Sequence, residues 1–247
     1  MHKWARRPLW RCLQGVVRRA LLMLCLLPGT LAASDAIISA RYEGPTTRYA
    51  HDVLGDAIEH VTLRVGLASG VTRRFTLPDD LVFEDTEPRI VDLDFDGSAE
   101  VIVVESSQSR GARLAIYGQQ GRIAATDFIG TRFRWLAPIG AADLDGDGHM
   151  EIAYIDRPHL AKTLRLLRYR DQNLTLIAQL SGLTNHRIGE RDIAGGVRVC
   201  AGRPELLVAS PDWSQMLSVT FDGALAGRVI GEDTSRAAFA RALACAS

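Results

Sequence analysis

Two short acidic segments of this chain share one pattern: aspartates at positions 1, 3 and 5, glycine at position 6 and glutamate at position 9. Calcium binds about six to eight oxygen ligands, and carboxylates at alternate positions of a tight loop converge on one point. The spacing therefore predicts two Ca²⁺ sites, one in each segment. Their predicted ligands are Asp92, Asp94, Asp96 and Glu100 in the first, and Asp143, Asp145, Asp147 and Glu151 in the second.

The same residues exclude one common calcium motif. An EF-hand loop closes with a glutamate at position 12, where these segments carry Val103 and Tyr154. Aspartate and glycine are also frequent in ordinary turns, so a single copy would indicate only a link between strands. Two complete copies, each followed by an apolar run, favour the metal.

The acidic segments belong to a longer series of repeats. Taking the closing glutamate as the anchor gives four related segments: loop 1 (51–59), loop 2 (92–100), loop 3 (143–151) and loop 4 (197–205). Loop 4 keeps Gly202 and Glu205 but has lost the aspartates, and loop 1 keeps Glu59. Calcium is therefore predicted in loops 2 and 3 only.

Short apolar runs separated by turn residues follow each anchor, as is typical of an all-β fold. A period near 50 residues favours a β-propeller-like array of about four repeats, with four or five blades. A single sandwich is the alternative. The segment Ile37–Arg41 is a candidate closing strand for the last blade, although the sequence leaves ring closure open. The alanine-rich segment Ser235–Ala244 predicts a short C-terminal helix.

Residues 88–170, and most closely the stretch 140–148, resemble the FG-GAP/VCBS repeats of the integrin alpha-subunit propeller and of secreted bacterial proteins. In that family each repeat is a four-stranded blade, and calcium lies between its first two strands. The resemblance implies the same fold and metal here. It does not imply a ligand, because one fold serves many functions.

The N-terminus has the pattern of a signal peptide over residues 1–32: six basic residues, then a short apolar run, then small residues. We therefore expect export to the periplasm or outside the cell, no membrane span in the mature chain, and a single domain over 33–247. Of the 29 basic residues, removal of those 6 leaves 23 against 29 acidic ones. That excess of negative charge disfavours nucleic acid as a partner.

Two of the four cysteines lie within the predicted signal peptide, so Cys200 and Cys245 remain. Two cysteines in an exported protein favour a disulfide, with two free thiols as the alternative. Such a bond would attach the C-terminal tail to loop 4, the repeat that has lost its metal ligands.

The sequence contains no catalytic motif that identifies an enzyme. The first functional hypothesis is a binding or scaffold module for an unknown protein or carbohydrate ligand, in which calcium is structural. The alternative is a hydrolase that uses a rim pocket around His51–His60, a segment rich in acidic and histidine side chains. The two hypotheses differ in whether those side chains converge in one cleft.

Overall fold

Strands make up about half of the structure, a computed structural model that describes residues 35–246. These residues contain sixteen strands and one short helix. The predicted signal peptide lies outside the described residues. None of the helical structure within 35–246 is long and apolar enough to cross a membrane.

The first group of strands, which we call blade 1, is a three-stranded antiparallel meander followed by a short linking strand. Its strands are β1 (Ile37–Thr46), β2 (Glu59–Leu67) and β3 (Thr72–Thr76), and the link is β4 (Leu81–Phe83). In β2 the side chains of Leu63, Val65 and Leu67 are buried, while those between them are partly exposed. This period of two places one apolar face against the next blade.

The next twelve strands form three further meanders of four strands each. Blade 2 consists of β5 (Arg89–Val91), β6 (Glu100–Ser107), β7 (Gly111–Gly118) and β8 (Gly121–Ala125). Blade 3 consists of β9 (Leu136–Ala142), β10 (Glu151–Asp156), β11 (Thr163–Arg170) and β12 (Asn173–Ser181). Blade 4 consists of β13 (Gly196–Val199), β14 (Pro204–Ala209), β15 (Met216–Phe221) and β16 (Leu225–Gly231). Within each meander, consecutive strands pair antiparallel.

Blades 1 and 2 share one hydrogen-bonded sheet because β4 pairs with strands of both. The long strand β6 has two successive partners along one edge, β5 opposite its first half and β4 opposite its second half. A single pair, His60 with Phe83, then connects β4 to β2. Blades 3 and 4 are separate four-stranded sheets.

The candidate closing strand Ile37–Arg41 does not pair with the last blade. It forms the start of β1, which runs antiparallel to β2 from the pair Ile37–Leu67 to the pair Thr46–Glu59. The physical reason is local: a hairpin with the adjacent strand satisfies the same backbone groups at a much smaller loop-closure cost. None of the three sheets formed by the described residues is closed, and the predicted all-β, propeller-like fold is confirmed.

Apolar cores lie between successive blades. Leu63, Phe83 and Val103 belong to the core of blades 1 and 2. Between blades 2 and 3, Ile102 and Ile152 pack with the indole of Trp135. A third core, which includes Ile155 and Val208, lies between blades 3 and 4. Each blade therefore buries its apolar residues mainly against its neighbours, as in other repeat proteins.

The far face of blade 4 is covered by the predicted C-terminal helix, α1 (Arg236–Leu243). Its first turn is capped by Ser235, whose hydroxyl accepts a hydrogen bond from the backbone N–H of Ala238. The ring of Phe239 packs against Leu207 and Met216 of the blade. The helix thus occupies the face on which a further blade would otherwise pack.

Candidate metal centre

All four loops occupy equivalent places in the fold. Each joins the first two strands of its blade, and its closing glutamate lies at or near the start of the second strand. Loops 2 and 3 also follow the same backbone path. Position 4 has a positive φ in both, at Phe95 (60°) and Gly146 (77°), and so does position 6, at Gly97 and Gly148 (85° each). Glycine tolerates this conformation without cost.

The carboxylates of loops 2 and 3 are held by the same backbone hydrogen bonds. The amide of position 2 donates to the closing glutamate, over 3.0 Å from Leu93 to Glu100 and 2.9 Å from Leu144 to Glu151. The amide of the position 6 glycine donates to the first aspartate over 3.0 Å in each loop. The local sequence therefore holds the first aspartate and the closing glutamate of each loop in place.

The structure groups most of the predicted ligands, with one difference between the loops. Asp92, Asp94 and Asp96 can place carboxylate oxygens within 4.8 Å of one another in loop 2. The corresponding group in loop 3 is Asp143, Asp145 and Glu151. Glu100 is outside the first group and Asp147 outside the second. Because every donor is a carboxylate oxygen, each set suits a hard cation such as calcium.

The environments of the closing glutamates of loops 2 and 3 disfavour their ionised form. Burial, opposed by the hydrogen bond from the Leu93 amide and assisted by the charges of the nearby aspartates, raises the pKa of Glu100 to about 7. Burial likewise raises the pKa of Glu151, opposed by hydrogen bonds from the Leu144 amide and Arg168. A cation in either loop would favour the charged form.

Loop 2 is surrounded by polar atoms that lack hydrogen-bond partners within residues 35–246. Asp92 Oδ1, Ser98 Oγ and the hydroxyl of Tyr169 are buried and unpaired. The Tyr169 side chain comes from blade 3 and is 2 % exposed. Its ring belongs to the same buried apolar cluster as Leu93 of loop 2. The pKa of Tyr169 is raised to about 12, chiefly by burial and then by the charges of Glu100, Asp94 and Asp96. Buried polar groups are rarely unpaired, so a bound cation and its water would fit these atoms.

Loop 3 has a different environment because an arginine enters it. The guanidinium of Arg168 lies 2.8 Å from Asp145 Oδ2, 2.8 Å from Asp147 Oδ2 and 2.8 Å from Glu151 Oε1. The sequence interpretation missed this residue. Its only sequence signal is a basic residue in the third strand of the blade, and strand register, which sequence does not specify, decides that it meets the loop.

The two loops without aspartates satisfy their glutamates in other ways. In loop 4, Arg198 donates two hydrogen bonds to Glu205 Oε2, over 2.9 and 2.7 Å. Glu59, which closes loop 1, is 2 % exposed. Burial, then the charges of Glu84 and Asp56, raise its pKa to about 9, so it carries a proton at neutral pH.

Cys200 of loop 4 is bonded to Cys245, which follows α1, with 5.6 Å between the Cα atoms. The predicted disulfide is therefore present. It attaches the C-terminal segment to the loop that has lost its carboxylates. In addition, Arg198 donates to the carbonyl of Ala242, near the end of the helix, over 3.1 Å.

Comparison with known proteins agrees with the repeat at the centre of the chain. The family model for FG-GAP-like repeats matches residues 92–154, a span that contains loops 2 and 3 in full. This segment is an FG-GAP-like repeat. No curated protein matches the chain.

Two solved structures are similar to parts of this chain. The exotype rhamnogalacturonan lyase YesX has a TM-score of 0.44 and 13% identity, over 70% of this chain and 40% of the lyase chain. The complex of the fission yeast SREBP-SCAP binding domains has a TM-score of 0.37 and 11% identity, over 91% and 57% respectively. The chain thus spans less than two thirds of either protein, and neither similarity is close enough to bear on function.

The polar side chains of His51–His60 do not share one cleft. His51 bonds to the buried Glu84 and stacks on Phe133, whereas His60 stacks on Tyr42 and Asp56 faces Arg191 at 3.7 Å. The cavity beside His51 has a volume of about 30 Å³, which is enough for a water molecule but not for a substrate.

Proposed function

We propose that this chain is an exported, calcium-binding repeat module that binds a protein or carbohydrate, with calcium in a structural role. Asp92, Asp94, Asp96 and Glu100 would hold the ion in loop 2, and Asp143, Asp145, Asp147 and Glu151 in loop 3. The observation that carries the proposal is the group of buried, unpaired polar atoms around the converging carboxylates of loop 2. When bound, calcium would neutralise these carboxylates and cross-link the loop to the start of the next strand.

The calcium proposal is tested by thermal unfolding with and without the ion. With a dissociation constant of about 0.1 mM and about 1 mM free calcium, each bound ion adds roughly 1.4 kcal/mol. For a chain of this size, EDTA is expected to lower the melting temperature by about 3–6 °C for each occupied loop. Differential scanning calorimetry in calcium and in EDTA measures this shift.

Matched variants assign the effect to the loops. Asp92→Ala and Asp143→Ala each remove the position 1 carboxylate of one loop, and the double variant is expected to melt at the same temperature in calcium and EDTA. Asp79→Ala is the control, since this carboxylate is exposed and pairs only with Arg48 at 3.3 Å. A wild-type melting temperature that is indifferent to calcium would contradict the proposal.

Export is supported by the signal-peptide pattern of residues 1–32 and by the disulfide, since structural disulfides are typical of oxidising compartments. Cell fractionation with an antibody against the chain tests the compartment. Detection of the uncleaved protein in the cytoplasm alone would exclude export.

The binding role is supported by a groove of about 400 Å³ whose lining includes Tyr154, Asp156 and Arg165 of blade 3 and Phe128, which follows blade 2. This volume is within the range of ligand sites, and the lining combines apolar and charged groups. Leu176 lines the groove and is 46% exposed, so its side chain can be changed without opening a core.

A pull-down and a glycan array with the purified protein test the groove. We expect Leu176→Glu to lose the captured partner, because the new carboxylate blocks and charges the groove. Ile188→Glu is the matched control, because Ile188 is 71% exposed and is not part of the groove lining. Equal capture by both variants would show that the partner binds elsewhere.

A further inference from the structure

Loops 2 and 3 have the same carboxylate pattern but different neighbours across the strand. In blade 3, Glu151 is directly opposite Arg168 in the pairing of β10 with β11. The corresponding pairing in blade 2 joins Val101 to Tyr117, and one step along the register places Gly118 opposite Glu100. At the same register position, one closing glutamate therefore faces an arginine and the other a glycine.

The guanidinium of Arg168 occupies the position of a cation in loop 3. Its three nitrogens contact three of the four predicted ligands, each at 2.8 Å: Asp145, Asp147 and Glu151. Only 23% of the Arg168 side chain is exposed, and its partner Glu151 is fully buried. The contacts are thus better shielded from solvent than ordinary surface ion pairs.

The unpaired polar atoms follow the same division. Loop 2 has Asp92 Oδ1 and Ser98 Oγ without partners, and the buried hydroxyl of Tyr169 is unpaired beside it. Among the described residues, no carboxylate oxygen of loop 3 is buried and unpaired. Asp143 shows the contrast at position 1, because its Oδ1 accepts from the amides of Gly146 and Asp147 over 2.8 and 3.1 Å.

We propose that Arg168 is a built-in counter-ion that competes with calcium in loop 3, so that loop 2 binds calcium tightly and loop 3 binds it only weakly. This inference rests on the calcium function proposed above. Calcium could enter loop 3 only if Arg168 withdrew from its three carboxylates or remained as a like charge a few ångströms from the ion. In loop 2 no such competitor is present among residues 35–246.

Neighbouring blades therefore differ in how they balance the negative charge of their acidic loops. Blade 3 supplies its loop with one positive charge whether or not calcium is bound, whereas blade 2 depends on the ion. Consecutive residues of β11 serve the two loops, since Arg168 contacts loop 3 and Tyr169 lies beside loop 2. The surface of blade 3 that faces loop 2 is therefore formed before calcium binds.

Isothermal titration calorimetry of the chelator-treated protein with calcium chloride tests the inference. The wild-type protein is expected to show one tight and one weak site, of which Asp92→Ala removes the tight one and Asp143→Ala the weak one. Arg168→Gln is expected to tighten the weak site by at least about tenfold and to leave the tight site unchanged. Arg170→Gln is the matched control: it lies two residues along the same strand, is 67% exposed and faces Asp171 instead of the loop.

The reciprocal variant, Gly118→Arg, keeps the test decisive if Arg168→Gln fails to fold. A Cβ at Gly118 would lie 3.4 Å from Ile123 Cγ2, an ordinary contact, so the site has room for a side chain. We expect this variant to weaken the tight site by at least about tenfold.

The outcomes separate this inference from the function on which it rests. Two wild-type sites of equal affinity that neither arginine variant changes would overturn the role of Arg168 and leave the calcium function intact. Loss of the weak site in Arg168→Gln would overturn it too, because the arginine would then assist binding. No calcium binding by any variant would overturn both proposals.

Discussion

Loops 2 and 4 occupy the same place in blades 2 and 4 but close by different chemistry. Loop 2 presents carboxylates that converge and leaves several polar atoms unpaired. Loop 4 has apolar residues in place of the aspartates, and its closing Glu205 is paired with Arg198. Its Cys200 is also bonded covalently to the C-terminal segment. Loop 2 thus lacks a counter-charge among residues 35–246, whereas loop 4 carries both its cation and its cross-link within the chain.

The remaining two loops complete the comparison. Loop 3 retains the acidic pattern and is contacted by Arg168 of β11. In loop 1, Glu59 has no basic partner among residues 35–246 and remains protonated. The closing glutamate is therefore neutralised in four ways, by a predicted calcium, by two different arginines and by a proton. The common requirement is physical, because a carboxylate at the buried start of a strand is costly unless its charge is balanced.

The largest expected effect concerns the covalent cross-link of loop 4. Replacing both cysteines, Cys200→Ser with Cys245→Ser, opens a loop with a sequence separation of 45. The chain-entropy relation gives a loss of about 4 kcal/mol in the free energy of unfolding. Urea denaturation measures the loss.

The same double variant tests whether the disulfide of loop 4 and the calcium proposed for loop 2 stabilise the protein independently. Its melting temperature is expected to keep the full response to calcium, because loop 2 is unchanged. A calcium response that disappears with the disulfide would show that loops 2 and 4 are coupled, against the comparison drawn above. A loss below about 1 kcal/mol would show that α1 stays on blade 4 without the bond.

The sequence predicted these features to different degrees for a physical reason. The predicted ligand sets of loops 2 and 3 are local, so spacing alone indicated which carboxylates lie close together, except for Glu100 and Asp147. The blade strands and the C-terminal helix followed from periodicity and turn residues. In contrast, Arg168 is 17 positions from Glu151, and the contact of β4 with two blades depends on register. Such pairings are decided by tertiary packing, which one sequence does not reveal.

The smaller expected effect concerns the protonated glutamate of loop 1. The folded-state pKa of Glu59, about 9, is above its ordinary value of 4.5. Between these two pH values the folded protein holds a proton that the unfolded chain has lost, so stability falls as pH rises through this range. Glu59→Gln does not titrate and is expected to be more stable than wild type by about 2–3 kcal/mol at pH 7 and equal to it at pH 4.

Glu205→Gln in loop 4 is the matched control and should behave in the opposite way. Burial raises the pKa of Glu205, but the hydrogen bonds and charge of Arg198 outweigh it and bring the pKa below 4.5. The ionised Glu205 contributes to the free energy of unfolding above pH 4.5, and this contribution is lost as pH falls through the lowered pKa. Glu205→Gln should therefore be less stable than wild type at pH 7 and approach the stability of wild type in acid. Urea denaturation from about pH 3 to about pH 9 measures both differences. Opposite pH dependences of the two stability differences require a protonated Glu59 and an ionised Glu205. If both differences instead change in the same direction with pH, loops 1 and 4 neutralise their glutamates in the same way.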